Sequence, residues 1–162
     1  MRRGAPLGQH FLNAQWVARD LIAAVRVQEG EDILEIGPGK GALTKELLKT
    51  TARVVAIEKD AELVTSLQET FSPEIHGGSL VLRECDVRDF DPGDGTLKIP
   101  YVLAANIPYY ITGEIIRKFL ETTAQPRAMA LLIQKEVAER IVARDGKESI
   151  LSLSVKAYGT PS

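Results

Sequence analysis

Asp32-Ile33-Leu34-Glu35-Ile36-Gly37-Pro38-Gly39-Lys40-Gly41 is the stretch that decides the fold. Its first five residues carry Ile33, Leu34 and Ile36 and read as a short strand. Gly37, Pro38 and Gly39 stop that strand, and Leu43, Leu47 and Leu48 then place a helix over Gly41–Thr50. A strand, a glycine turn and a helix, in that order, open a βαβ unit.

The same alternation continues along the chain. Arg53–Ile57 is a second strand, and Asp60 caps a helix carrying Leu63, Leu67 and Phe71. Pro73–Ser79 reads as a turn region, Leu80–Cys85 as a third strand, and Asp86–Leu97 as a loop rich in Asp and Gly. Tyr101–Ala105 is a fourth strand, and Thr112 caps a helix through Leu120. Ala128–Ile133 is a fifth strand, apolar enough to be buried on both faces, and Lys135–Ala143 is a helix. On the amino-terminal side, Asn13 caps a helix Ala14–Val25 with Val17, Leu21 and Val25 on one face. Ser149–Tyr158 fits either a strand, by alternation of Leu151, Leu153, Val155 and Ala157, or a helix. Strands alternating with helices predict an α/β fold: an open, Rossmann-like sheet of about five parallel strands with helices on both faces. No repeat and no Pro/Gly-rich linker divides the 162 residues, so they are read as one domain, 1–162.

Composition narrows the function classes. Apolar residues make up 44% and charged residues 26%, which suits a globular chain and excludes a disordered one. No apolar run approaches the roughly 18 residues that span a bilayer, and Met1-Arg2-Arg3 is followed by Gly4-Ala5-Pro6 where a signal peptide needs an apolar core. A lone Cys85 forms no internal disulfide, and with only His10 and His76 no Cys/His zinc site is expected. A reduced cytoplasmic setting follows as the expectation. The net charge of −2 does not mark a nucleic-acid binder. The charge is uneven, though, with ten acidic and three basic residues from Glu58 to Asp94, against six acidic and seven basic from Glu114 to Glu148. Charge alone makes these solvated faces.

The glycine turn has readable chemistry. Glycines at a strand-to-helix junction let the backbone approach a ligand, and ligands of open parallel sheets bind beyond the carboxyl ends of the strands. Glu58 closes the second strand, where an acid accepts both hydroxyls of a ribose. Two nucleotide cofactors fit. A dinucleotide uses G-x-G-x-x-G with its pyrophosphate on the helix, whereas this chain has G-x-G-x-G with Glu35 two residues before Gly37. That form suits S-adenosylmethionine, which has no phosphate and carries an ammonium group that Glu35 reaches directly or through water. Gly37 and Gly39 allow the close approach, and Asp86, ending the third strand, is placed to hold an adenine amino group. A tight turn and an Asp cap are the plainer readings of the same residues.

Asn106-Ile107-Pro108-Tyr109 follows the fourth strand and therefore sits on the same edge. An adenine amine is a poor nucleophile because its lone pair is delocalised into the ring. The Asn106 side-chain oxygen and a backbone carbonyl of Ile107–Pro108, both accepting its N–H bonds, favour a pyramidal nitrogen. Pro108 fixes the backbone, and Tyr109 offers a face for stacking worth about 1–3 kcal/mol. Positioning and polarity then suffice for in-line attack on a sulfonium methyl. Asn106, Pro108 and Tyr109 are the candidate catalytic residues.

With these residues in place, the chain resembles the small-subunit rRNA adenine dimethyltransferases of KsgA type. The resemblance covers nearly the whole chain: Leu7-Gly8-Gln9-His10-Phe11-Leu12, Glu35–Gly41, Glu58, Asp86, Asn106–Tyr109 and Leu132-Ile133-Gln134-Lys135-Glu136-Val137. It implies S-adenosylmethionine contacts at His10, Leu12, Gly37, Glu58, Asp86 and Asn106, with Asn106 and Tyr109 at the target adenine. It also implies two methyl transfers to each of two adjacent adenines in a small-subunit rRNA hairpin, within a ribosomal subunit precursor, with S-adenosylhomocysteine as product. No membrane and no metal enter that reading, and a monomer is expected. In that family two further strands and a small helical domain follow, and this chain stops before them, at Gly159-Thr160-Pro161-Ser162. The resemblance makes Ser149–Tyr158 a helix. The rivals are a large-subunit rRNA methyltransferase of macrolide-resistance type, which shares the Asn-x-Pro-Tyr corner, a non-catalytic RNA-binding assembly factor, and an NAD-type oxidoreductase supported only by the glycine turn and Glu58. Gly37-Pro38-Gly39 and Gln134–Val137 resemble the small-subunit enzymes more.

The remaining candidates are weaker. His10 is a polar lid residue or a base, and Trp16 packs on the sheet or stacks on RNA. Cys85 is a small buried residue. Lys135, Arg140, Arg144 and Lys147, with Arg2 and Arg3, meet phosphates or form a solvated face interleaved with Glu136 and Glu139.

Overall fold

Residues 15–143 and 155–161 are described by the structure, a computed structural model. Helix α1 (Gln15–Val25) leads into β1 (Asp32–Ile36), α2 (Ala42–Leu47), β2 (Arg53–Glu58), α3 (Ala61–Thr70), α4 (Ser72–His76) and β3 (Leu80–Glu84). A long loop precedes β4 (Tyr101–Asn106), α5 (Thr112–Glu121), β5 (Ala128–Leu132) and α6 (Lys135–Val142). The five strands form one parallel sheet in the order β3-β2-β1-β4-β5, the expected open Rossmann-like α/β arrangement. The order turns back between β1 and β4, which is where such sheets open a ligand crevice.

Burial on both faces explains the near-continuous apolar strands. Ile33, Val54, Ala56 and Val102 face one layer, against Ala18, Leu21 and Val25 of α1, Leu43 and Leu47 of α2, and Leu67 of α3. Leu34, Ile36, Val55, Ile57, Leu103 and Ala105 face the other, against Ile115 and Phe119 of α5 and Phe90 and Leu97 of the long loop. The amino-terminal edge of the sheet is closed by ion pairs. Asp32 pairs with Arg53, accepts the Lys98 N–H at 2.8 Å, and Arg53 also donates to the Thr96 carbonyl at 2.8 Å. Arg127 pairs with Glu31 at 2.8 Å and donates to the carbonyls of Val25 and Arg26.

Several local expectations change. The turn region at Pro73–Ser79 contains a helix, Ser72–His76, because Pro73 falls in the first turn, where a missing N–H costs nothing. The helix after the glycine turn stops at Leu47, not Thr50, as the Thr50 hydroxyl takes the Leu47 carbonyl at 2.7 Å. Thr112 is the first residue of α5 and not its cap. Its hydroxyl donates to the Pro108 carbonyl at 3.2 Å, across a 3-10 turn over Tyr109–Ile111. On α3 the buried residues are Val64 and Leu67, with Leu63 half-buried. Strand β5 is half-buried except at Ala130, because among the described residues it has a strand neighbour on one side only. Cys85 is likewise half-buried, not buried. Residues 155–158 are helical, while 149–154, the Asn13 cap and the Val17 and Trp16 side chains lie outside the described residues. No helix among the described residues is long and apolar enough to cross a membrane.

Candidate active site

Parallel strands put all carboxyl ends on one edge. There, Ile36 pairs with Ile57 on one side and Ala105 on the other, and Glu58 pairs with Glu84. Gly37, Glu58, Asn106 and Cys85-Asp86 therefore leave the sheet side by side. Four stretches far apart in sequence meet at one end of the sheet.

The glycine turn is built for a tight reversal. Gly37, Gly39 and Gly41 have φ of +66°, +58° and +81°. The Gly37 N–H donates to the Ile57 carbonyl and the Gly41 N–H to the Pro38 carbonyl, both at 2.9 Å. At Gly41 a side chain would be excluded twice, by the positive φ and by Phe71, whose Cε2 would lie 2.4 Å from a Cβ. At Gly37 nothing lies within 4 Å of where a Cβ would stand. The open side of that turn is where a ligand can approach the backbone.

Glu58 is buried, and its carboxylate already serves the backbone. It accepts the N–H groups of Gly39 at 3.2 Å, Lys59 at 2.9 Å and Asp60 at 3.1 Å. Two carboxylate oxygens offer about four acceptor sites, so capacity for a hydroxyl donor remains. The Gly39 bond also ties the turn after β1 to the end of β2. Glu35 differs. It is 1% exposed, and neither carboxyl oxygen has a hydrogen-bond partner among the described residues. Burial pushes its carboxyl up to about 8, eased by the nearby Thr44 hydroxyl and amide, while the like charge of Glu58 adds to the rise. The Thr44 influence comes from proximity, since its hydroxyl is itself buried and unpartnered.

Asp86 accepts the Arg88 N–H at 3.0 Å. Arg88 then reaches Glu114 on α5 at 2.9 Å, and Lys118 of α5 donates to the Arg88 carbonyl at 2.8 Å. This clasp joins the loop after β3 to the helix after the Asn106 corner. At that corner Asn106 is half-buried, and the Ile107 N–H donates to the Leu132 carbonyl at 3.2 Å. The Pro108 carbonyl accepts from Ile111 N–H and the Thr112 hydroxyl, both at 3.2 Å. The Pro108 carbonyl is thus engaged by the chain itself. The backbone of Tyr109 starts the 3-10 turn, while its side chain, like His10 and Leu12, lies outside the described residues.

The sequence description for ribosomal RNA adenine dimethylase matches residues 4–159. The chain belongs to the ribosomal RNA adenine dimethylase family. Similar to this family member is the ribosomal RNA small subunit methyltransferase A of Dehalococcoides mccartyi (strain CBDB1), 42% identical over 161 residues that cover 96% of this chain and 53% of that protein. The chain spans about half the length of the curated relatives it matches. Among solved structures, a dimethyladenosine transferase from Plasmodium falciparum superposes with a TM-score of 0.74 at 29% identity, covering 91% of this chain and 52% of that one. The 23S rRNA methyltransferase ErmE does so at 0.70 and 28%, covering 82% and 51%.

In this chain, sequence reasoning missed Thr44 and the Arg88–Glu114–Lys118 clasp. Thr44 carried a usable signal, lying three residues after Gly41 at the start of a helix. The clasp joins residues about 26 to 30 apart and needs the fold to be seen. Lys135 pairs with Glu139 at 3.6 Å on an exposed face, as the solvated reading has it. Arg144 and Lys147 lie outside the described residues.

Proposed function

We propose that this adenine dimethylase chain forms the core of an enzyme that methylates the N6 amines of two adjacent adenosines in a small-subunit rRNA hairpin. Each adenosine receives two methyl groups from S-adenosylmethionine, with S-adenosylhomocysteine as product. The substrate is rRNA within a small ribosomal subunit precursor, the setting is the cytoplasm, and the chain works as a monomer. One observation carries the reading. The β1/β4 register puts the glycine turn and the Asn106 corner next to each other at the point where the strand order turns back.

The residues present suit that cofactor. Glu58 has acceptor capacity for a ribose hydroxyl, Asp86 for an adenine amine, and Gly37 leaves the backbone open. Glu35 supplies a buried carboxyl with no partner among the described residues. His10 and Leu12 complete the contacts. When bound, S-adenosylmethionine supplies an electrophilic sulfonium methyl. Asn106 and the Ile107 carbonyl accept the two N–H bonds of the target amine and aim its lone pair, Pro108 holds that backbone, and Tyr109 stacks on the base. The identity to small-subunit relatives supports the choice of RNA, and the likeness to ErmE favours a large-subunit target as the second reading.

The test is methyl transfer by the longer form that carries this chain, on unmethylated small- and large-subunit RNA, read as dimethyladenosine by mass spectrometry. Dimethyladenosine in small-subunit RNA, lost with Asn106→Ala, is the expected result. Transfer to large-subunit RNA selects the second reading, and undiminished transfer by Asn106→Ala contradicts the mechanism.

A further inference from the structure

Three large apolar side chains stand exposed among the described residues: Ile99, Tyr110 and Tyr158. Ile99 precedes β4 at the amino-terminal end of the sheet, and Tyr158 ends the helical residues 155–158. Tyr110 is the one at the ligand edge. It sits in the 3-10 turn that follows Asn106 and is 59% exposed. The backbone that carries it is fixed. Ile107 is buried and its N–H donates to the Leu132 carbonyl, while the Ile111 N–H and the buried Thr112 hydroxyl both donate to the Pro108 carbonyl. Ile111 packs against the core layer that contains Phe119. The space beside Tyr110 is open. Gly113, three residues on, shares its face at the start of α5. A Cβ on Gly113 would meet nothing within 4 Å. Gly113 is exposed and is not among the glycines of positive φ, so its backbone conformation does not call for glycine. Alanine there would make the stronger helix. What glycine provides is bare backbone that another flat surface can approach. Glu114, the next residue on that face, is held by Arg88 at 2.9 Å.

We propose that Tyr110 and Gly113 seat the nucleotide next to the target adenosine, whose base stacks on the Tyr110 ring over the bare backbone of Gly113. The inference rests on the RNA reading above and deepens it, adding what the site requires of the target's neighbour. In that reading Tyr109 stacks on the target base. Consecutive residues stand about 3.8 Å apart, so the next aromatic along the turn is within reach of the next nucleotide along the strand. Every base has a π face, so stacking here is tolerant of base identity. It does require a base that is splayed out of its own helix, as in a loop. Tyr110 therefore selects for an unpaired neighbour and not for its sequence. The pinned turn means that the ring is presented without ordering the backbone on binding.

The experiment is methyl transfer by the longer form that carries this chain, on a synthetic RNA hairpin with two adjacent adenosines in its loop. Two further hairpins each have one of those adenosines made abasic, so that the other is left without a neighbouring base. Tyr110→Ala should lower kcat/KM on the intact hairpin about fivefold or more, through KM, which is the scale of one lost base stack. Tyr110→Phe should keep it. One of the abasic hairpins should be as poor a substrate for the wild type, and on it Tyr110→Ala should lose nothing further. Gly113→Leu fills the open space and should lower transfer to the intact hairpin with no loss of stability in urea. Unchanged S-adenosylmethionine binding by each variant shows that it folds. Tyr110→Ala that transfers as well as the wild type, or that loses as much on both abasic hairpins as on the intact one, overturns the seat and leaves the RNA reading standing. Failure of the wild type to methylate either the hairpin or small-subunit RNA contradicts the RNA reading and this inference with it.

Discussion

Asp32 and Glu35 lie three residues apart on one strand, each about 1% exposed, and the chain treats them in opposite ways. Asp32, at the amino-terminal edge of the sheet, is held by Arg53 and by the Lys98 N–H. Glu35, at the carboxyl edge, has no hydrogen-bond partner among the described residues. The neighbours repeat the contrast. Glu31 below is bound by Arg127, while Glu58 above is satisfied by backbone N–H groups alone. A buried carboxyl without a counter-charge is costly to ionise, so the two edges carry their acids in different states. The lower edge is finished by ion pairs, and the upper edge keeps Glu35 and Glu58 without a basic partner among the described residues.

The largest effect that would sharpen this contrast is on catalysis. Asn106→Ala should lower methyl transfer by about 100-fold or more, the scale of a lost transition-state contact, with urea stability little changed. A variant that is equally inactive because it is unfolded would break the distinction. At the lower edge the reverse is expected. Arg53→Met leaves Asp32 buried with the Lys98 N–H but without its counter-charge and should cost about 3–5 kcal/mol in urea unfolding, while S-adenosylmethionine affinity of the folded fraction stays the same.

The two edges should also answer pH with opposite signs. Arg127 beside Glu31 holds that carboxyl below its ordinary value, so its contribution is present at neutral pH and is lost on acidification. Glu35 is raised from 4.5 to about 8, so the folded state holds a proton that the unfolded chain releases. Stability from Glu35 is therefore greatest below about pH 4.5 and declines until it levels off above about pH 8. The difference between the wild type and Glu35→Gln should grow across that range by roughly 2–4 kcal/mol, in favour of the variant, as measured by chemical unfolding at a series of pH values. A constant difference would contradict the orphaned carboxyl. Gly41→Ala should cost about 1–3 kcal/mol, since it meets both a positive φ and the Phe71 ring. The smallest effect belongs to neither edge. Arg117→Ala removes the exposed pair with Glu121 and should change stability by less than about 0.5 kcal/mol.

Much of this was legible in the chain because strands and glycine turns are local. The β1 strand and its turn, the Asp60 cap and the Asn106 corner each follow from a handful of adjacent residues. Asp60 does cap α3, accepting the N–H groups of Glu62 and Leu63. Helix α4 was hidden because Pro73 marks a turn and a helix start equally well. The half-exposure of β5 depends on which strands flank it, which its apolar composition does not report. The Asp32–Arg53 and Glu31–Arg127 pairs depend on sheet register and on chain returning from 21 and 96 residues away. For the candidate site, the positions of Glu35, Glu58, Asp86 and Asn106 were legible and their environments were not. Sequence made Glu58 an acceptor for ribose, whereas the structure shows it holding the Gly39 amide as well. Sequence gave Glu35 a ligand's ammonium as partner, and the depth of its burial and the absence of any protein partner among the described residues emerged only from packing.

The most direct measurement is titration of the chain with S-adenosylmethionine, with NAD as the control dinucleotide and Glu58→Gln alongside. If the carboxyl edge of the sheet is a cofactor crevice of the methyltransferase kind, S-adenosylmethionine binds, NAD does not, and Glu58→Gln weakens binding at least about tenfold, the scale of one charge-assisted hydrogen bond. Binding of NAD alone, or S-adenosylmethionine binding that Glu58→Gln leaves unchanged, would contradict it.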